Sequence, residues 1–311
     1  MSKLVIYVSS RNNYSLLEDF LRRNQSLLNY NFYNIDDNSD YDEKELGKRI
    51  CEKYGIKFIE NKGRGLQWSA QTMVEEVDDD CEFILWTTHD TFTITQGFYD
   101  VFIEKIPEFK DFGVVGFNIL GPQCGISHPS QITKTTLGIL GRAPLAPLSG
   151  RGGWYRTPDM TLDWEIWGGD YPIAIESPVD MMLSVNIELF KKYIKVTDNY
   201  HLFCSWDDIC MQFLESGIYN VTLPYLQVYH DQMFKEGKVP VKSASAAKRG
   251  DVKHFGHYGP HFEYWKTRWG WDRDDVRNTF PLEKYKGTLI GDFFEMNYKN
   301  GPLKVFKLGD K

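Results

Sequence analysis

Short apolar blocks alternate with amphipathic stretches along the first 90 residues, and each block runs out into a polar turn. Residues 4–9 form an apolar, β-rich block that ends in Ser9-Ser10-Arg11-Asn12, and residues 14–28 place their apolar positions at helical spacing. A second block, Tyr33-Asn34-Ile35, ends on Asp36-Asp37-Asn38-Ser39-Asp40. Residues 45–54 read as a helix, 56–59 as a short strand and 65–77 as another helix. Phe83-Ile84-Leu85-Trp86 then has the look of a buried strand that ends at Thr87-Thr88-His89-Asp90. Strands alternating with helices predict an α/β fold with a parallel, doubly wound sheet. Ligands of such sheets bind outside the carboxyl ends of the strands, so the polar tips are where chemistry is expected. Asp, Asn and Ser are also ordinary turn formers, so a single tip says little.

The pattern is less regular further on. Residues 118–177 are rich in Gly, Pro and Trp and read as a long insertion, and loops of that length are usually functional or disordered. Its Trp154, Trp164 and Trp167 suit acceptor contacts and core packing equally. Residues 179–185 form a strand that carries Asp180. Residues 205–217 open on Ser205-Trp206-Asp207-Asp208, continue at helical spacing and stop at Gly217. An acid at a helix start is ordinarily a cap or a partner of the dipole. Residues 220–229 form a strand that delivers His230.

Composition narrows the class. A chain of 311 residues with 42% hydrophobic content buries a full core, as one large α/β domain with an elaboration or as two small domains. No apolar run reaches the length of a membrane span and no signal-peptide pattern opens the chain, so a cytoplasmic protein is expected. The five cysteines have no C-x-x-C spacing, which speaks against structural zinc and for a reducing compartment. Residues 236–311 carry 15 Lys and Arg against 10 Asp and Glu, whereas the first 235 carry 21 against 33. A basic tail thus follows an acidic body, and no nucleic-acid partner is expected. Residues 235–257 read as a mobile loop whose Lys248, Arg249, Lys253 and His254 suit either phosphate contact or plain solvation. Lys62-Gly63-Arg64-Gly65, before a helix, is either a phosphate-binding loop using Arg64 or a solvated turn.

The strand tips together resemble the nucleotide-sugar-dependent glycosyltransferases of the GT-A fold, family 2 in particular, over the first 235 residues. The resemblance implies a GT-A (Rossmann-like), mostly parallel mixed sheet flanked by helices, with a C-terminal extension. Residues 1–117 would be the nucleotide-sugar half, 118–177 the insertion and 178–235 the acceptor half. In that family the first tip, here Ser9, Ser10 and Arg11, borders base and ribose. The second, a "DDxS" cluster, is Asp36-Asp37-Asn38-Ser39, with Asp37 in the place that contacts the base. The "DxD" element is reduced to Thr88-His89-Asp90, which leaves Asp90 as ligand of a divalent cation, Mn²⁺ or Mg²⁺; His89 has either a ribose or phosphate contact or a place in the core. His230 stands where the family has a metal- or diphosphate-binding His. Asp207-Asp208 looks like the family's "ED" pair, with Asp208 as catalytic base and Asp207 beside the acceptor, and Asp180, Trp154 and Trp206 lie on the acceptor side.

The implied activity is inverting transfer of one sugar from a nucleoside-diphosphate sugar to a hydroxyl of a glycan or glycoconjugate, with peripheral membrane contact allowed. Arg268-Trp269-Gly270 resembles the "KWG" ending of some family members and is expected to pack on the catalytic domain. Two other readings are a nucleotide-sugar-binding module without turnover, suggested by the missing first acid, and a nucleotidyltransferase. The latter would carry a glycine-rich basic signature after the first strand, which residues 9–13 lack.

Overall fold

The computed structural model describes residues 3–124, 126, 128–132, 138–142, 144, 154–156, 172–200, 204–231, 259–273, 275–295 and 306–307. The first half alternates as expected: β1 (Leu4–Ser10), α1 (Tyr14–Arg23), β2 (Phe32–Asp36), α2 (Tyr41–Tyr54), β3 (Lys57–Glu60), α3 (Leu66–Glu76) and β4 (Phe83–Thr87). There follow β5 (Thr91–Thr93), α4 (Phe98–Phe109), β6 (Val114–Leu120), β7 (Ile139–Arg142), β8 (Trp154–Arg156), β9 (Ile173–Ile175) and β10 (Met182–Asn186). Then come α5 (Ile187–Tyr193), α6 (Ser205–Glu215), β11 (Asn220–His230), α7 (Gly259–Trp269), α8 (Val276–Thr279), α9 (Leu282–Tyr285), α10 (Leu289–Phe294) and β12 (Phe306–Lys307).

The sheet runs in the order β12-β9-β11-β6-β10-β4-β1-β2-β3. Pairs β1–β2, β2–β3, β1–β4 and β6–β11 are parallel, and β10 lies antiparallel between β4 and β6. This is the mixed, mainly parallel α/β sheet with flanking helices and a C-terminal extension that the sequence predicts. Chain order reverses at β1, where β2 and β4 leave on opposite sides, and a crevice opens beyond the strand ends at such a point.

Helices on both faces explain why β1 and β4 are apolar at almost every position. Leu4, Ile6 and Val8 enter a core with Leu17 and Phe20 of α1 and Phe102 of α4. Val5 and Tyr7 enter the opposite core with Ala70 and Met73 of α3 and Ile209 and Phe213 of α6. A third cluster joins Trp265, Trp269, Trp271, Phe280, Tyr285 and Phe293 to Met211 and Leu214 of α6. The aromatic extension therefore packs on the domain.

Two boundaries differ from the sequence reading. The helix expected over 14–28 ends at Arg23, where the Asn24 side chain donates to the Phe20 carbonyl and a 3₁₀ turn, Gln25–Asn29, takes over. The insertion drawn from 118 begins inside β6, since Asn118, Ile119 and Leu120 pair with Gln227, Val228 and Tyr229 of β11. Trp164, Trp167, Lys248, Arg249, Lys253 and His254 lie outside the described residues.

One close approach fixes α2 against α1. A Cβ placed at Gly47 falls 2.3 Å from Cε1 of Tyr14, a fully buried ring with no room to retreat. Gly→Ala inside a helix ordinarily gains up to about 1 kcal/mol, whereas overpacking a core costs about 1–3 kcal/mol. Overpacking should win: Gly47→Ala is expected to lower stability by about 1–2 kcal/mol, read as a lower denaturant midpoint at unchanged slope.

Candidate active site

The tips of β1 and β2 are zipped to one another. The Asp37 N–H donates to the Ser10 carbonyl at 2.8 Å, Asn12 N–H to Ser39 Oγ at 3.0 Å and Asp40 N–H to Asn12 Oδ1 at 2.7 Å. Asn12 and Asn38 take left-handed backbone conformations with φ of 52° and 57°, which Asn tolerates better than most residues. Asp37 Oδ1 accepts from the backbone N–H of Gly65, at the start of α3, and from Asn61 Nδ2. Gly65, at φ 87°, supplies a turn that a side chain would strain. Asp36, by contrast, is buried and turned inward, accepting from Tyr14 Oη at 2.6 Å and from Ser39 N–H, with Lys44 Nζ 3.7 Å away. Ser9 Oγ and Arg11 Nε are buried without a hydrogen-bond partner in the structure. Orphaned polar atoms at a strand tip are groups that a ligand or water satisfies. Arg64 stands exposed, while its neighbour Lys62 is held by Glu75 and Glu76.

The β4 tip joins the end of β11. β5 turns straight back and pairs with β11, Thr91 opposite His230, so Asp90 lies beside the imidazole. His230 Nε2 is 3.1 Å from Asp90 Oδ2, and Thr88 Oγ1 donates to Asp90 Oδ1 at 2.7 Å. Burial pushes the Asp90 carboxyl up, but hydrogen bonds from His230 and Thr88 pull further and leave it below the usual range. His89 points the other way. Its ring is buried, edge-on to Phe20, and burial lowers its pKa to about 4, so it is neutral at physiological pH. Asp180 is half-buried and adjoins this tip, because the Thr88 N–H donates to the carbonyl of the next residue, Met181.

The acids that open α6 face inward. Asp208 is fully buried: Gln67 Nε2 and Gln212 Nε2 donate to Oδ2 at 2.9 Å, Trp269 Nε1 donates to Oδ1 at 2.9 Å, and Arg268 Nε forms an ion pair with the same oxygen at 3.0 Å. Asp207 accepts from Ser177 Oγ and from the buried Arg273, both at 2.9 Å. Trp206 is a core residue beside Trp86, with ring centres 5.4 Å apart. The expectation of a catalytic base at Asp208, with Asp207 and Trp206 on the acceptor side, therefore meets side chains already enclosed by protein. The sequence shows an acidic helix start but not which way it faces; Arg268-Trp269 and Arg273, 60 or more residues on, decide that. Sequence reasoning also missed Gln67 and Gln212, whose only signal is that they are polar on the buried faces of their helices. The backbone of Trp154 lies in β8, and its side chain is outside the described residues.

No family model and no curated protein matches this chain. Solved structures do. GalNAc-T7 with UDP, GalNAc and Mn²⁺ aligns with 73% of this chain and 43% of its own at 12% identity and a TM-score of 0.49. The mannosyltransferase PcManGT from Pyrobaculum calidifontis, with GDP-Man and Mn²⁺, aligns with 82% of this chain and 63% of its own at 13% identity and a TM-score of 0.46. Glucosyl-3-phosphoglycerate synthase from Mycobacterium tuberculosis, with Mn²⁺, UDP and glucosyl-3-phosphoglycerate, aligns with 81% and 78% at 9% identity and a TM-score of 0.44. This chain thus spans less than half of the first protein and under two thirds of the second. Likenesses this distant leave function to be read from the chain's own residues.

Asp208 makes a sharp stability test. Gln67 is pinned by Thr197 N–H and the Ser205 carbonyl, and Gln212 by the backbone of Lys195, so neither amide can turn over. In Asp208→Asn the new NH₂ meets donors whichever way it points, and Arg268 loses its counter-charge. The variant should lose about 3 kcal/mol, as when one partner of a buried pair is removed, visible as a lower thermal midpoint. Burial raises the Asp208 pKa to about 6 against the pull of Arg268, above the ordinary Asp value of 3.8.

Proposed function

We propose that this chain is a sugar transferase that takes one sugar from a nucleoside-diphosphate donor and passes it to a hydroxyl acceptor on a glycan or glycoconjugate. The observation that carries this reading is the gathering at one crevice of three strand tips and a fourth strand end: Ser9 to Asn12, Asp37, Thr88 to Asp90, and His230. The first two supply hydrogen-bonding groups for a base and ribose, and the last two an anionic oxygen and a ring nitrogen for the diphosphate end.

Asp90 and His230 fit a divalent cation such as Mn²⁺ or Mg²⁺, because both side chains are partly exposed and their donor atoms already converge. Among the described residues no cluster of three or more His, Cys, Asp or Glu forms a cage. Two protein ligands then leave the other positions to donor phosphate and water, as hard cations accept. When bound there, the cation neutralises the charge that develops on the leaving diphosphate.

The acceptor hydroxyl needs a base. Displacement forms its bond to the anomeric carbon as the bond to the diphosphate breaks, and attack opposite the leaving group inverts that centre. We assign the proton to Asp180, the half-buried acid beside the β4 tip, because Asp208 is enclosed by Gln67, Gln212, Trp269 and Arg268 while the last two stay docked. Among the described residues no helix is long and apolar enough to cross a membrane.

Thermal shift and donor hydrolysis across UDP-, GDP-, dTDP- and CMP-sugars, with and without Mn²⁺, test the donor site. One donor should stabilise the protein and be hydrolysed slowly, and Asp90→Ala should abolish the metal-dependent part. No response to any donor would sink the reading. Asp180→Asn should cut turnover by roughly 10²–10⁴-fold, the usual worth of general base catalysis, at unchanged donor affinity. Undiminished turnover in that variant would return the base to Asp208. Donor binding without turnover in the wild type would favour a binding module, the reading that the missing first acid of the β4 tip suggests.

A further inference from the structure

His89 lies within a hydrogen-bond chain that crosses three strand tips, and its direction is fixed from both ends. Asp36 can only accept, so Tyr14 Oη donates to its Oδ1 at 2.6 Å. The Tyr14 oxygen then accepts from Asn34 Nδ2 at 3.3 Å, which turns Asn34 Oδ1 toward Ser10 Oγ as its acceptor. The Ser10 oxygen is left to accept from His89 Nε2 at 3.0 Å. From the other end, Asn13 Oδ1 is held by the Arg11 N–H at 3.0 Å, so Asn13 presents Nδ2, a donor, to His89 Nδ1 at 3.5 Å. Both ends require the same neutral tautomer, with the proton on Nε2.

We propose that His89 is a positioning residue for the nucleoside of the donor, a role that deepens the transferase reading and rests on it. The ring does not touch the donor. It holds Ser10 through Nε2 and Asn13 through Nδ1, and those two residues bracket Arg11 and Asn12. Ser10 in turn fixes Asp37 by accepting its N–H, and the chain through Asn34 and Tyr14 fixes Asp36, which holds the Ser39 N–H. The β1–α1 loop and the β2–α2 turn are thereby set against the β4 tip, so the nucleoside end and the Asp90 end of the site move as one body. A chain in which every donor has its acceptor rigidifies; one broken link leaves a buried polar group unpaired and frees both loops.

The test has a ligand-free arm and a ligand arm. In the free protein, ¹⁵N NMR of the His89 ring should show the Nε2–H tautomer, and His89→Leu should speed exchange of the Asp37 and Ser39 amide protons. Unchanged exchange at both amides, or the opposite tautomer, would overturn the proposal. In the ligand arm, UDP and GDP are titrated by calorimetry without metal. His89→Leu and Ser10→Ala should each weaken binding roughly tenfold, about what one buried hydrogen bond is worth, and the double variant should be no weaker than either single one. His89→Gln, which restores a donor to Ser10, should recover most of the loss. Additive losses in the double variant would mean that His89 touches the nucleotide itself, which also overturns the proposal. Ser10→Ala, the milder change, carries the ligand arm if His89→Leu melts too low to titrate. If the wild type binds neither nucleotide while the exchange rates respond as stated, the donor reading falls and the positioning of the two loops stands.

Discussion

Three hydrogen bonds and one ion pair to a single buried carboxylate hold three distant stretches of this chain together. Asp208 of α6 takes Gln67 from α3, Gln212 from its own next turn, and Arg268 and Trp269 from α7. Taking a carboxylate out of water costs several kcal/mol, and the arrangement persists only because both oxygens are fully supplied and one partner is a cation. The contact brings a cation and an indole N–H of α7, Arg268 and Trp269, to Asp208 together. The aromatic cluster of Trp265, Trp269 and Trp271 gives the docking its apolar area, and Asp208 fixes its orientation. Arg273 on Asp207 repeats the device one residue earlier.

From that anchor the order runs toward the crevice. Gln67 lies in the first turn of α3, whose leading N–H, from Gly65, is held by Asp37. Asp37 is tied to Ser10, and Ser10 to His89. The C-terminal segment is thus linked to the strand tips through hydrogen bonds and one helix. In this sense the extension is part of the site's scaffold.

The alternation of strands and helices and the polar tips were legible because they follow from local periodicity and turn chemistry. Asp90 beside His230 was legible as a pair of chemically apt residues, and β5 gives that pair its geometry. The orientation of side chains was not legible. Asp36 and Asp37 are neighbours of one type, yet strand alternation turns the first into the core toward Tyr14 and leaves the second at the tip. Asp208 reads as a helix-start acid, and its burial is visible only once Arg268 and Trp269 are placed over it. His89 could not be assigned from sequence for the same reason, since its partners Ser10 and Asn13 lie more than 75 positions away. The boundary at 118 falls inside β6, whose last residues, Asn118-Ile119-Leu120, precede the Gly121-Pro122 turn.

The antiparallel strand β10 also governs the order in which the sheet can be built. It pairs Val185 with Ile84 of β4 and with Val114 of β6, so its backbone partners are separated from it by long stretches of chain. Closing loops of that length is slow compared with forming the local β1–α1–β2 units. During synthesis β4 and β6 therefore both present bare, apolar edges until β10 has emerged to fill the gap between them. Two open edges of that kind are templates for pairing with other chains. The strand that completes the sheet is thus also the one whose late arrival exposes the nascent protein to aggregation.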